Sequence, residues 1–174
     1  MDLGRDLRLV IFDLDGTLIH LDVDWAALGP NPHPAAATAA ELAGLGARRL
    51  DAATVAVLDA LAPSYHLAVL SRNSRAVAER ALAGLRANVM IIGREDCPRP
   101  KPDPSGVLVI LSALGVRPEQ AVLVGDTYHD VGAAHAAGLP AIVVHNGRLR
   151  YRPEGADAYV DSLAELPSRL KGMP

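Results

Sequence analysis

The sequence predicts a doubly wound α/β fold: a five-stranded parallel sheet with a small helical cap inserted after the first strand. Five short apolar runs end at polar residues or glycine, as buried parallel strands do. They occupy residues 7–12, 67–70, 89–92, 121–124 and 141–144. Helical patterns alternate with the later runs, and this alternation favours a parallel sheet covered by helices on both faces.

The core helices are expected after the second, third and fourth strands. They cover residues 74–85, 103–114 and 127–137. Ser74 begins the first of these helices, and Gly115 and Gly138 end the other two. In folds of this class, ligands bind beyond the carboxyl ends of the strands.

Residues 19–62 interrupt the alternation, because they contain no strand-like run and are much longer than an ordinary loop. Their first part is rich in proline and glycine, and helices are expected at residues 35–45 and 51–62. We interpret residues 19–62 as the cap, through which the chain could form a homo-oligomer, and residues 1–18 with 63–174 as the core.

The composition restricts the possible partners. A net charge of −3 and an aromatic content of 3% provide neither a basic surface for a phosphate backbone nor rings for base stacking, so nucleic acid is not expected. No apolar stretch approaches the roughly 20 residues of a membrane helix. The N-terminus does not resemble a signal peptide, and the single Cys97 cannot form an internal disulfide, which together favour a cytoplasmic location.

Two acids follow the first strand in the segment Asp13-Leu14-Asp15-Gly16-Thr17. In extended backbone, residues two apart project to the same side, so the carboxylates of Asp13 and Asp15 would repel unless a cation or a phosphoryl group lay between them. Gly16 allows the chain to turn away sharply. A strand-end turn with solvated acids is the alternative for this segment alone.

Two further acids, Asp126 and Asp130, follow the fourth strand. Taken alone, Thr127 and Asp130 could be a helix-capping pair. Four carboxylates at one edge of the sheet would require a dication that prefers oxygen ligands, and Mg²⁺ is such an ion. The joint occurrence of the two pairs therefore points to a metal site.

Ser71 and Lys101 add a hydroxyl and an ammonium near the same edge, and these are donors that bind phosphoryl oxygens. Taken singly, Ser71 could cap a helix and Lys101 could be a surface charge. Arg72, Arg94 and Arg99 flank the expected site and could contact a substrate, although arginines at such positions are more often surface charges. Trp25, in the cap, is expected to pack rather than to recognise a ligand.

Four segments of the chain together resemble the motifs of the haloacid dehalogenase (HAD) superfamily. They are FDLDGTL, LSRNS, RPKPDP and VGDTYHD, in the order that its phosphatases share. The resemblance extends from about residue 9 to residue 144 and implies a Rossmann-like core. The core is similar to that of phosphoglycolate phosphatases, with a cap that is notably shorter than theirs.

The resemblance implies a role for each matched residue in a magnesium-dependent phosphatase. Asp13 would attack phosphorus, and Asp15 would act as acid and then as base. The phosphoryl group would be bound by Ser71, Arg72 and Lys101. Mg²⁺ would be held by Asp13, by Asp15 through its carbonyl, by Asp126, and by Asp130 directly or through water. The substrate would be a small phosphorylated metabolite.

Other activities of the superfamily fit the sequence less well. Dehalogenases lack the second acid of the first motif, and transport ATPases require membrane segments. A phosphomutase requires a more elaborate cap than residues 19–62 provide. A catalytically idle binding module remains an alternative, against which the intact set of motif residues argues.

Overall fold

The computed structural model describes residues 6–145, 147 and 152–171, and its centre is a parallel sheet. Its strands are β1 (Leu9–Phe12), β2 (His66–Leu70), β3 (Val89–Ile92), β4 (Ala121–Gly125), β5 (Ala141–Val144) and β6 (Ala158–Val160). The α/β class is confirmed, but the sheet has six strands rather than five. The sequence prediction missed β6 because three residues are too few for a recognisable apolar run.

Seven α-helices occur in the described residues. They are α1 (Trp25–Leu28), α2 (Pro34–Leu45), α3 (Ala52–Leu61), α4 (Arg75–Ala81), α5 (Ser105–Leu114), α6 (Tyr128–Ala136) and α7 (Leu166–Lys171). Every predicted helix is present, with ends that differ by a few residues. None of the described helices combines the length and apolar character needed to cross a bilayer.

The sheet separates two hydrophobic layers, and β1 contributes to both. Val10 and Phe12 belong to the layer that contains α3, α4 and α7, whereas Leu9 and Ile11 belong to the layer that contains α5 and α6. This division follows from the alternation of side chains along a strand. All four residues are fully buried, which explains the continuous apolar run.

The order of the strands brings the polar ends of β1 and β4 together. The sheet runs β3-β2-β1-β4-β5-β6, so the chain proceeds outward from β1 to β3 and then returns to the other side of β1. Phe12 pairs with Val124, and the amide of Asp13 donates to the Val124 carbonyl at 2.9 Å. Ligand sites of doubly wound folds lie at such a reversal of strand order.

The segment predicted as a cap contains α1, α2 and α3, which pack in different ways. Val57, Leu58 and Leu61 of α3 are buried in the same layer as β1. Helix α2 lies against α4 and buries Ala37, Glu41, Gly44 and Leu45. Because α3 packs within the core, we propose that the cap ends before residue 52 rather than at residue 62.

Candidate active site

Three buried carboxylates form an acidic cluster at the carboxyl ends of β1 and β4. Asp13 follows β1, Asp126 follows β4, and Asp130 lies in the first turn of α6. One oxygen from each of these three side chains lies within 4.8 Å of the others. Carboxylates at this spacing repel strongly unless a cation shares the site. The cluster is therefore a candidate site for a hard dication.

Lys101 is the positive partner of the acidic cluster and is itself 95% buried. Its Nζ lies 2.5 Å from Asp13 Oδ1 and 2.6 Å from Asp130 Oδ1. One ammonium does not neutralise three carboxylates, so the fully ionised cluster keeps an excess of negative charge.

The excess negative charge of the cluster is least compensated at Asp126. Its Oδ1 is buried and accepts no hydrogen bond within the described residues. A Cβ atom at residue 16 would lie 2.2 Å from Asp126 Oδ2, and Gly16 has a φ of +93°. Only glycine fits this close approach and this backbone conformation. An unbonded oxygen beside other carboxylates fits a bound Mg²⁺ ion.

The pKa values of these four groups follow from burial first and then from the neighbouring charges. Burial, and then the Asp130 charge, raises the pKa of Asp126 to about 6. Burial raises the pKa of Asp13 to about 7, although Lys101 opposes the shift. Burial also acts against ionisation of Asp130, but Lys101 outweighs it and holds the pKa of Asp130 below its usual value. Burial disfavours the charged form of Lys101, but Asp13 and Asp130 raise its pKa nonetheless.

Asp15, the second acid of the first motif, lies outside the acidic cluster. Its Oδ1 accepts a hydrogen bond from the Leu21 amide at 2.9 Å and lies 3.5 Å from His20 Nδ1. Its side chain is 27% exposed and lines the same cleft as Asp13. The carboxylate of Asp15 is thus accessible to solvent and free of the metal-ligand group, as a proton donor and acceptor must be.

Ser71 follows β2 and is buried, as Lys101 is. Its hydroxyl donates to Asn73 Oδ1 at 2.9 Å and accepts from the Asn73 amide at 3.0 Å. Asn73, to which the sequence interpretation gave no role, is also buried and lines the cleft. Arg72 lies between them, is exposed, and lines the cleft as well.

The other two arginines that flank the site are paired with acids. Arg94 Nη1 lies 2.7 Å from Glu41 Oε1, and Arg99 Nε lies 2.8 Å from Asp103 Oδ2. The sequence interpretation missed Glu41 because a single acid in an alanine-rich helix looks like a solvated surface charge.

A cleft of about 1150 Å³ opens beside Asp13, Asp15 and Lys101. Trp25 from α1 lines its wall and is 42% exposed, so this side chain is only partly covered by the rest of the protein. His129 also lines the cleft, and its ring lies against that of Tyr128 at an interplanar angle of 36°, with ring centroids 4.0 Å apart. Burial, and then the charge of Arg72, lowers the pKa of His129, which favours a neutral ring.

A comparison with known protein families supports the resemblance that the motif residues suggest. A family model described as haloacid dehalogenase-like hydrolase matches residues 52–144, more than half of the chain. The chain belongs to this family. The matched range of this hydrolase includes Ser71, Lys101 and Asp126, whereas Asp13 and Asp15 precede it.

Similar proteins agree with this assignment. Phosphoglycolate phosphatase 1 of Pseudomonas aeruginosa is 30% identical to this hydrolase over 212 residues, covering 91% of the chain and 78% of that protein. The alignment is longer than the chain. The Pseudomonas aeruginosa protein therefore contains inserted residues which this hydrolase lacks. The phosphoglycolate phosphatase of Chromobacterium violaceum is 39% identical, but the match covers 51% of the chain and 40% of that protein.

A solved structure supports the fold. The HAD phosphatase of Thermococcus onnurineus is 21% identical and has a TM-score of 0.72, with 95% of this chain and 99% of that chain covered. At this level of identity the likeness concerns the fold alone.

Proposed function

We propose that this hydrolase is a Mg²⁺-dependent phosphatase that hydrolyses a phosphate monoester of a small metabolite through an aspartyl-phosphate on Asp13. One observation carries the proposal: among the described residues, Asp13 lies in an acidic cluster with a single ammonium, and this cluster leaves Asp126 Oδ1 without a hydrogen bond. A cluster with excess negative charge is suited to a dication, and a buried carboxylate beside a dication is suited to attack on phosphorus.

In the first step, a carboxylate oxygen of Asp13 forms a bond to phosphorus as the bond to the ester oxygen breaks. Asp13 Oδ1 is occupied by Lys101, which favours Oδ2 as the attacking atom. Asp15 gives its proton to the departing oxygen, so the product leaves as an alcohol. The hydrogen bond from Leu21 to Asp15 Oδ1 fixes the carboxyl group while leaving its second oxygen for this transfer.

In the second step, water attacks the phosphorus of the aspartyl-phosphate, and the bond between phosphorus and Asp13 breaks. Asp15, now a carboxylate, accepts the proton of that water, which returns both acids to their starting states. Inorganic phosphate is the second product.

Phosphoryl oxygens need donors during both steps. We assign this role to Lys101, Ser71 and Arg72, with Asn73 as an added candidate because it is buried and lines the cleft. Mg²⁺, held by Asp13, Asp126 and the Asp15 carbonyl, would supply positive charge that offsets the negative charge of the phosphoryl group. Both oxygens of Asp130 already accept hydrogen bonds, from Lys101 and from Thr127, which favours contact with the ion through water.

Two alternatives are less well supported. A phosphomutase would need a cap that encloses a reorienting intermediate, and α1 with α2 forms a small insertion. An idle binding module would have no reason to keep a charged lysine buried among carboxylates at a cost in desolvation. Phosphoglycolate is the first substrate to test because the relatives bear its name, but a cleft of about 1150 Å³ has room for larger metabolites.

The test is turnover of p-nitrophenyl phosphate, with Mg²⁺ and then with excess EDTA. We expect hydrolysis that requires Mg²⁺ and returns when Mg²⁺ is restored. A panel of phosphorylated metabolites, including phosphoglycolate, would then identify the preferred substrate. Equal turnover in EDTA, or no turnover of any monoester, would refute the proposed function.

A further inference from the structure

Glu41 is a fully buried acid that the proposed reaction does not use. It lies on α2, and its side chain is 0% exposed. Its Oε1 accepts a hydrogen bond from Arg94 Nη1 at 2.7 Å, and its Oε2 accepts one from the Ser74 amide at 3.0 Å. Both oxygens are therefore bonded to groups that follow β2 and β3, far from Glu41 in sequence.

Arg94, which follows β3, also forms hydrogen bonds to α2 and to the segment after β2. Its Nη2 donates to Thr38 Oγ1 on α2 at 2.8 Å, and its Nη1 also donates to the Arg72 carbonyl at 3.2 Å. The Arg94 amide donates to the Asn73 carbonyl at 2.8 Å. We refer to Glu41 and Arg94 with these bonds as the latch, and to residues 71–74 as the β2 loop.

The latch contacts the β2 loop at successive residues. Arg94 bonds to the carbonyls of Arg72 and Asn73, and Glu41 bonds to the amide of Ser74. Ser71 and Asn73 bond to each other within that loop, so the backbone position of the loop determines where their polar atoms lie. The opposite charges of Glu41 and Arg94 balance each other, and the remaining bonds of the latch reach neutral groups.

We propose that Glu41 and Arg94 are positioning residues: the latch holds the β2 loop in the conformation that binds the phosphoryl group, and so couples α2 of the insertion to phosphate affinity. This inference rests on the proposed function, because it assigns phosphate binding to that loop. Glu41 acts through the Ser74 amide, and the Arg94 side chain acts through the Arg72 carbonyl. Neither residue needs to touch the reacting atoms.

The decisive variant replaces both charges at once, as Glu41→Met with Arg94→Met. Replacing a buried ion pair by apolar side chains of similar size is often tolerated, so the fold should persist. This double variant loses the hydrogen bond from the Arg94 side chain to the Arg72 carbonyl and the one from the Ser74 amide to the Glu41 carboxylate. Arg94→Lys is a second variant, which keeps a charge near Glu41 but cannot reach Thr38 and the Arg72 carbonyl together.

Arg75→Gln is the matched control. Arg75 also forms an ion pair beside the β2 loop, with Nη2 2.9 Å from Asp96 Oδ2, but within the described residues its side chain forms no hydrogen bond or ion pair with the loop backbone or α2. A general effect of removing a nearby ion pair would therefore appear in this variant too.

Two measurements test the inference, both on the Mg²⁺-loaded protein. The first is amide hydrogen exchange in the β2 loop, which does not depend on activity; we expect the Ser74 amide to exchange faster in both latch variants and unchanged in the control. The second is calorimetric binding of inorganic phosphate. We expect the double variant to bind phosphate roughly 10- to 100-fold more weakly, the range for residues that orient a ligand's direct contacts. The KM for p-nitrophenyl phosphate should rise more than kcat falls.

The outcomes separate the two proposals. A wild-type protein that neither binds phosphate nor hydrolyses a monoester would refute the proposed function, while exchange at Ser74 would still report on the latch. Unchanged exchange at Ser74 would refute the latch. Faster exchange with unchanged phosphate affinity would refute the positioning role, as would an equal loss of affinity in Arg75→Gln.

Discussion

Two groups of charged side chains lie beside the same cleft, and they differ in how the charges are balanced. In the latch, one acid faces one arginine, and both oxygens of Glu41 accept hydrogen bonds. In the acidic cluster, three carboxylates share the ammonium of Lys101, and Asp126 Oδ1 accepts no hydrogen bond from the part of the chain that the structure describes. A balanced group is suited to holding structure, whereas an unbalanced group is suited to binding an ion. Substitutions in the two groups should therefore have opposite consequences.

The largest expected effect is the loss of activity on changing the acidic cluster at Asp13. Asp13→Asn removes the attacking carboxylate, and we expect turnover of p-nitrophenyl phosphate to fall by roughly 10⁴-fold or more. Steady-state kinetics with Mg²⁺ measures this effect. Asp59→Asn is the control, because Asp59 is an exposed acid on α3 and should leave turnover unchanged. Retention of substantial turnover in Asp13→Asn would exclude Asp13 as the nucleophile.

Removing only the acid of the balanced group should reduce stability as well as phosphate affinity. Glu41→Ala leaves Arg94 without its acid and the Ser74 amide without its acceptor, so we expect the free energy of unfolding to fall by about 3 kcal/mol. Urea unfolding measures this change. Glu119→Ala breaks an exposed ion pair with Arg117 and should lower the free energy of unfolding far less. Similar losses of unfolding free energy in the two variants would argue that burial of the latch contributes nothing to stability.

Mg²⁺ should stabilise the protein, and more strongly at alkaline than at acidic pH. The pKa values of Asp13 and Asp126 are raised to about 7 and about 6, so the metal-free folded state keeps protons that the unfolded chain releases near pH 4. These two acids therefore destabilise the metal-free protein progressively as the pH rises from about 4 through 7. Ionised carboxylates are the form that binds a dication.

Thermal unfolding with and without Mg²⁺ measures this dependence. At a concentration of 100 times Kd, Mg²⁺ should add about 2.7 kcal/mol of stability near pH 8. The gain should shrink near pH 5, where protons compete with the ion. A gain that is independent of pH would place the ion away from Asp13 and Asp126.

The smallest expected effect is a gain in stability without the metal. Asp126→Asn removes an uncompensated charge. In EDTA we therefore expect the melting temperature to rise, which corresponds to a gain of about 1 kcal/mol in the free energy of unfolding. The same variant should lose most of the stabilisation by Mg²⁺. A melting temperature that falls in EDTA would indicate that Asp126 has a structural role instead.

The sequence predicted the parallel sheet apart from β6, and there are physical reasons for this success. Strands such as β1 are buried on both faces, so they appear as continuous apolar runs. Asp13 and Asp126 follow such runs directly, and parallel strands bring their carboxyl ends together. The short edge strand β6 lacks this signal, because its middle residue, Tyr159, is only partly buried.

The latch could not be predicted in the same way. Glu41 and Ser74 are 33 residues apart, and Glu41 and Arg94 are 53 residues apart, so their contacts depend on the packing of α2 against α4. No local pattern distinguishes Glu41 from a solvated acid. The exposure of Trp25 at the cleft likewise depends on where α1 lies in the folded chain.

The most direct test of the account is to locate the phosphoryl group during turnover. Asp15→Asn keeps the nucleophile but lacks the acid and base, which typically contribute about 10²–10⁴-fold in rate. A good leaving group such as p-nitrophenolate needs little protonation, so the second step should be slowed more than the first. The measurement is acid quenching during turnover of a labelled activated ester, followed by mapping of the label. We predict label on Asp13 in Asp15→Asn and none in Asp13→Asn, whereas label on His129 or equal labelling in both variants would contradict the account.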